Sequence, residues 1–245
     1  RQRQMCIRDR DNSEHFGLGS LQEYTQDLSL KYETYLHLGV SIRSFRSERL
    51  SSFVHALLEG EASTAKNILH GIENYPVCLT RNIEVARKWL KSQARGTERF
   101  GFLAHSNGQR LKAVGLDTKV KIEPTHWFLN PSTDVRSSYF LEDTATEFDV
   151  QGLELDWAGV CWDATLRRSN KTWSYNQFKG SRWMNVNDEF RQKYLLNAYR
   201  VLLTRARQGM VIYVPEGDTG DATRLPEFYD PIFQYLRSCG VHSID

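Results

Sequence analysis

Several things are missing from this sequence, and each absence removes a class of protein. Cysteine is scarce: Cys6, Cys78, Cys161 and Cys239 are the only four, each more than seventy residues from the next. No C-x-x-C occurs, so neither a structural zinc site nor the disulfide scaffold of a small secreted domain is expected. Reduced, buried thiols in a cytoplasmic protein are the expectation instead. No apolar run approaches the ~20 residues that cross a bilayer, and no apolar leader follows the charged N-terminus. Of the sixteen glycines none is followed by Lys, so there is no G-x-x-x-x-G-K-[ST] phosphate cradle. The only Asp-Glu dipeptide, Asp188-Glu189, follows Met-Asn-Val-Asn, not the buried apolar strand that presents a magnesium-holding carboxylate. A dominant sign of charge is lacking too, with 32 Lys and Arg against 30 acids.

What is present is an ordinary globular composition, 40% apolar and 25% charged, in 245 residues, enough for one large or two small domains. The near-neutral total hides segregation. Arg81–Lys121 holds ten basic residues and three acids, whereas Tyr139–Asp163 holds seven acids and no Lys or Arg. The first ten residues, RQRQMCIRDR, begin without Met and show no periodicity. They look like translated sequencing adapter and are set aside from fold reasoning. A truncated gene product is expected, with residues 11–40 as a lead-in and 41–245 as the folded region.

Apolar spacing organises that region. Tyr32–Val40 and Val77–Thr80 fit strands, the second opened by Pro76. Ser47 should cap a helix carrying Leu50, Phe53, Val54, Leu57 and Leu58 on one face, ending at Gly60. Short helices are expected over Ala62–His70 and around Val85–Leu90. Phe100–His105, Thr118–Ile122, Ser138–Glu142, Ala158–Asp163 and Met210–Val214 read as strands. Arg191–Arg207 reads as the longest helix, stopped by Gly209, and Asp230 should cap a last helix through Leu236. Helices alternating with short apolar strands predict an α/β layer structure on a mostly parallel sheet, with a polar insertion near 167–189. Ligands in such folds gather outside the carboxyl ends of strands, in the loops that enter helices, which directs attention to Ser44–Arg46, Thr80–Arg81, Ser106–Arg110, Thr146–Glu154 and Thr204–Arg207.

Leu195–Val214, LLNAYRVLLTRARQGMVIYV, is the most informative stretch. Arginines in a last helical turn are partly explained by the negative helix end. The whole string nevertheless resembles motif VI of superfamily one helicases, close to "LNVALTRAR". The resemblance implies that Arg205 meets the γ-phosphate of ATP, with Arg207 a weaker neighbour; a planar, permanently charged donor suits that role. Thr146–Asp156, TEFDVQGLELD, is an acidic turn entering a strand, with Gly152 freeing the backbone beside Gln151. It resembles motif V, which implies Thr146 on nucleic-acid phosphate, Gln151 and Gly152 at the ATP cleft, and Glu154 on the ribose hydroxyls. Ser41–Ser47 resembles the "Q-Y-R" element between two ATPase lobes. It implies Phe45 against adenine and Arg46 against phosphate, although the spacing also permits Arg43.

Four blocks, YPVCLTRNIEVARKWL, ERFGFLAHSNGQRLKAVGL, ATEFDVQGLELDWAGVCWDA and NAYRVLLTRARQGMVIYVPEGD, occur here in the order found in the bacterial Schlafen-group-three-like DNA/RNA helicases. The resemblance runs from about Leu38 to Ile244. It implies a RecA-like three-layer sandwich, the second lobe of a protein whose first lobe carries the P-loop and the Mg2+ ligands. ATP with Mg2+, single-stranded DNA or RNA, and the chain's own N-terminal lobe are then the expected partners, with no membrane. The basic segment fits a phosphate track, with Thr80, Arg81, Ser106, Asn107 and Arg110 as contacts. Trp173 and Trp183, in the polar insertion, are expected to offer stacking surfaces. Two rivals stand beside this reading. One is a non-enzymatic nucleic-acid-binding module. The other is a nuclease with Asp149, Glu154, Asp156 and Asp163 as metal ligands, disfavoured because those acids go with the motif V match and no Lys accompanies them in nuclease spacing.

Overall fold

The structure is a computed structural model. It describes residues 45–169 and 171–245, with the side chains of residues 45–47 excepted. The expected strand at Tyr32–Val40 and the candidate Arg43 lie outside the described residues.

Two helices open the unit Phe45–Asp245, α1 (Phe45–Glu59) and α2 (Ala62–His70). Then come β1 (Val77–Thr80), α3 (Ile83–Gln93), β2 (Phe100–Ala104), α4 (Pro124–Leu129), β3 (Thr144–Thr146) and β4 (Leu155–Cys161). A run of short strands follows, β5 (Leu166–Ser169), β6 (Thr172–Lys179) and β7 (Arg182–Asn185). The chain ends with α5 (Glu189–Leu203), β8 (Ala206–Tyr213), α6 (Asp230–Ser238) and β9 (His242–Ser243). Six strands form one parallel sheet in the order β3-β2-β4-β8-β1-β9. Continuous apolar strands are what a sheet covered on both faces requires, and β2, FGFLA, is buried at every position.

Alternate residues of β4 feed two cores. Ala158 and Val160 join the apolar side chains of α1, α5 and α6, while Trp157 and Cys161 join Ala86 and Leu90 of α3. Helices therefore cover both faces, the α/β layering expected of a RecA-like sandwich. Gly159 is needed in the middle of β4 because a Cβ there would lie 2.4 Å from the Phe102 ring.

Four expectations are corrected. Thr118–Ile122 is not a strand: the Asp117 carboxylate takes the Lys119 N–H at 2.9 Å, and that turn breaks the extended run. Ser138–Phe140 is a 3-10 turn ended by Leu141 at φ 58°, and the strand is Thr144–Thr146. The long helix begins at Glu189, capped by the Asp188 carboxylate on the Arg191 N–H at 2.9 Å, and ends at Leu203. Thr204 turns its hydroxyl back onto the carbonyls of Arg200 (2.9 Å) and Val201 (3.2 Å), after which the chain enters β8. Arg205 therefore sits one residue past the helix cap, with its N–H on the Leu202 carbonyl at 3.4 Å, so the negative helix end still bears on it, whereas Arg207 lies inside β8 and escapes that explanation. Gly209 lies within β8, where a Cβ would meet the Trp157 ring at 2.7 Å. Finally, the polar insertion is an antiparallel meander, β5-β6-β7.

Candidate nucleotide and nucleic-acid interface

The residues singled out by the two motifs fall toward opposite ends of the parallel sheet. At the amino end, the Leu155 N–H donates to the Arg205 carbonyl at 3.0 Å, which sets Glu154 and Arg205 at adjoining strand starts. Gly152 has φ +80°, a backbone that favours glycine, and open space where a Cβ would be. Gln151, Gly152, Leu153 and Glu154 are exposed, and Arg205 is half-buried. The Arg207 side chain is 64% exposed, with its nearest carboxylate, Asp156, at 3.9 Å. Phe45 and Arg46 hold the first two positions of α1; their side chains lie outside the described residues.

This end is braced from below. Asp156 accepts the Arg99 N–H at 2.8 Å. Glu98 accepts Gln208 Nε2 at 2.7 Å and Trp157 Nε1 at 3.0 Å, and those two bonds pull its carboxyl below the ordinary range. The starts of β4 and β8 are thereby tied together, which fixes the stretch on which Arg205 is mounted.

At the carboxyl end the polar residues are committed to one another. The Thr146 hydroxyl and N–H both donate to Asp149 Oδ2, at 2.6 and 2.8 Å, closing a capped turn after β3. Ser106 after β2 donates its hydroxyl to Glu147 Oε1 (2.7 Å) and its N–H to Oε2 (2.8 Å). His105 Nε2 stands 3.6 Å from the same carboxylate, and burial holds its imidazole below the usual histidine range despite that neighbour. Asn107 is exposed and accepts Lys119 Nζ at 3.4 Å.

Three expected contacts are turned inward. Thr80 is fully buried and donates to the Asp245 carboxylate. Arg81 donates to Asp230 Oδ1 and the Pro215 carbonyl, both at 2.7 Å, and lies over the Phe233 ring at 4.9 Å. Arg110 donates to Asp221 at 2.8 Å and lies over Phe178 at 5.1 Å. Asp163, at the end of β4, is fully buried, and desolvation raises its pKa to about 6.

The four acids of the nuclease alternative do not meet. Asp149 is tied to Thr146, Asp156 to Arg99 at the other end of the sheet, and Asp163 is sealed in the core. No three His, Cys, Asp or Glu side chains among the described residues cluster to hold a metal ion.

The two tryptophans expected as stacking surfaces are packed instead. Trp173 is stacked on Trp162 at 5.9 Å and donates to the Leu58 carbonyl at 2.6 Å. Trp183 lies under Arg167 at 4.5 Å and donates to the Thr223 carbonyl at 2.8 Å. Sequence reasoning missed a cavity of about 430 Å³ that follows α5 from Arg191 to Val201. Ser106, Asn107 and Gln151 line it together with two aromatics, Phe148 and Tyr194. These are 66% and 71% exposed. Tyr194 keeps helical spacing with Leu195 and Ala198, so it reads as core; no local signal marks it as exposed.

The chain matches the family described as Schlafen group 3, DNA/RNA helicase domain, over residues 8–216. No curated protein and no solved structure matches it. No described helix is long and apolar enough to cross a membrane. With a match over most of its length and the parallel sheet to accompany it, the chain belongs to the Schlafen group 3 DNA/RNA helicase domain family.

Proposed function

We propose that this region is the second RecA-like lobe of an ATP-dependent helicase or translocase that acts on single-stranded DNA or RNA. The carrying observation is the junction of β4 and β8, where the Leu155–Arg205 hydrogen bond of 3.0 Å sets the motif V and motif VI stretches side by side. On this reading Arg205 reaches the γ-phosphate, Arg207 supports it, and Glu154 accepts hydroxyls of the ribose. Gln151 and Gly152 shape the approach, with Phe45 against adenine and Arg46 or Arg43 against phosphate. A phosphoryl transition state spreads charge over its equatorial oxygens, and a preorganised guanidinium stabilises that charge.

Asn107, which is exposed, heads the nucleic-acid side at the other end of the sheet; Thr146 and Ser106 stand beside it and reach phosphate by exchanging it for Asp149 and Glu147. Thr80, Arg81 and Arg110 hold that side in shape and do not touch phosphate: Thr80 is buried, and the Arg81 and Arg110 side chains, 14% and 25% exposed, are ion-paired with Asp230 and Asp221. The sequence has no phosphate cradle, so hydrolysis needs a P-loop lobe in addition to these residues. ATP closes the lobes on one another, and hydrolysis releases them.

The test is ATP hydrolysis with and without single-stranded DNA or RNA, on this chain and on a protein that joins it to an upstream P-loop lobe. Turnover is expected only from the joined protein, stimulated by the strand and lost in Arg205→Ala. An inert joined protein, with strand binding indifferent to ATP, would replace this reading with that of a non-enzymatic binding module.

A further inference from the structure

The cavity along α5 offers chemistry that the phosphate-contacting residues leave unused. Its volume of about 430 Å³ falls within the ~300–1,000 Å³ typical of sites for small organic ligands. Phe148 and Tyr194 present large, exposed aromatic faces to it, and Asn176, Gln177 and Asn197 add amides. An amide carries both a donor and an acceptor, and the Asn197 oxygen already accepts Arg200 at 2.6 Å, which leaves its nitrogen to donate. Asn176 is 5% exposed, and its amide nitrogen is anchored on the Ser174 carbonyl and hydroxyl, both at 3.1 Å. His105, also in the lining, is 7% exposed, and its Nδ1 finds no hydrogen-bond partner among the described residues. A buried polar atom left in that state points to something that comes to it.

The lining also says what does not belong there. Glu147 contributes a buried carboxylate, which repels a phosphate. The amides interrupt the apolar wall that a hydrocarbon would need. Flat aromatic faces combined with amide groups suit an unstacked nucleobase, whose faces stack and whose edges hydrogen-bond.

We infer that this cavity is a base pocket: one unpaired nucleobase of the bound strand leaves its stack, packs on Tyr194 and Phe148, and has its edge read by Asn176, Gln177 and Asn197. Arg191, exposed on the same lining, meets the neighbouring phosphate. The pocket lies between α5, the turn after β3 and the meander, so the meander's contribution is specificity for bases. This inference rests on the reading of the chain as a strand-contacting lobe.

The experiment compares the affinity of the whole chain for fluorescent single strands that carry bases with its affinity for strands of equal length whose sugars are abasic. DNA and RNA versions of each are used, and the proteins are wild type, Tyr194→Ala, Phe148→Ala and Arg191→Ala. Wild type is expected to prefer the base-bearing strand on the order of ten-fold, since one base–aromatic stack is worth about that much. Tyr194→Ala and Phe148→Ala should erase the preference while leaving abasic binding unchanged; both residues are surface-exposed, so the core is untouched. Arg191→Ala should weaken both strands equally and lower the salt slope by roughly one contact. Equal affinity of wild type for the two strands, or equal weakening of both by Tyr194→Ala, would overturn the pocket while leaving strand binding in place. Absence of any salt-dependent strand binding would instead overturn the underlying reading.

Discussion

The two ends of the parallel sheet are built on different principles. At the carboxyl end, charge is consumed: Arg81 pairs with Asp230, Arg110 with Asp221, Ser106 with Glu147 and Thr146 with Asp149. At the amino end, Arg207 stays largely in solvent and Glu154 is exposed beside the half-buried Arg205. A local excess of ten basic residues over three acids in Arg81–Lys121 thus says little about where a polyanion is gripped. Arg87 and Arg99 are also engaged, Arg87 on the Leu141 carbonyl and Arg99 on the carbonyls of Trp127 and Asn130. A guanidinium with five donors is as useful for knitting loops as for meeting phosphate. Only the partners distinguish the two uses.

The contrast can be broken most severely at Arg205. In a protein that carries the P-loop lobe, Arg205→Ala should lower strand-stimulated ATP turnover by about 10³-fold or more. Arg205→Lys should recover little of it, because a point charge does not replace the planar fork. Steady-state hydrolysis at saturating strand measures both.

A smaller effect separates the ends by pH. Desolvation raises the Asp163 carboxyl from its ordinary value to about 6 in the fold. Its protonated form therefore favours the folded state: the contribution is fully present below about pH 4 and is lost as pH rises through about 6. Asp163→Asn should remove that slope and stabilise the chain near neutrality by on the order of 3 kcal/mol, less whatever the Tyr229 and Ala164 contacts give back. Urea unfolding at pH 5 and pH 7.5 reads the difference. An identical pH dependence in wild type and Asp163→Asn would refute it. The buried imidazole of His105 also titrates near this end, so the comparison is made between variants and not between pH values alone.

Arg81→Ala and Arg110→Ala sharpen the comparison from the other side. Each should cost about 1–2 kcal/mol of stability through the loss of charge-assisted hydrogen bonds. Neither should alter the salt slope of strand binding. A slope lowered by roughly 0.7–0.9 would reassign that arginine to phosphate. Smallest of all, Arg207→Ala should shift stability by no more than about 0.5 kcal/mol, since its partner is a distant surface carboxylate. Chemical denaturation checks both expectations.

How much of this was legible beforehand follows from what each segment must bury. β1, β2, β4 and β8 are apolar on both faces, and Ala62–His70 is an amphipathic helix; both patterns are read from spacing alone. The meander escaped because β6, TWSYNQFK, is buried on the core side at only one fully covered position, so its pattern looks like a polar loop. The end of α5 escaped because a helix-to-strand switch at Thr204 leaves the apolar run unbroken, and the terminating signal is a side-chain hydroxyl folding back. Arg205 and Thr146 were singled out by motif strings, whereas Phe148 and Tyr194 carry no motif. An exposed aromatic is indistinguishable in sequence from a buried one until its neighbours are known. The inward commitment of Thr80, Arg81 and Arg110 was hidden for the same reason: Asp245, Asp230 and Asp221 are more than a hundred residues away in the chain.

The most direct test of the division between the two ends is a titration of strand against ATP turnover in the P-loop-bearing protein, with Arg205→Ala and Tyr194→Ala compared to wild type. Arg205→Ala should lower the plateau and leave the half-saturating strand concentration in place. Tyr194→Ala should raise that concentration on the order of ten-fold and leave the plateau in place. If both variants move the same parameter, the two ends do not divide the work, and the account is wrong.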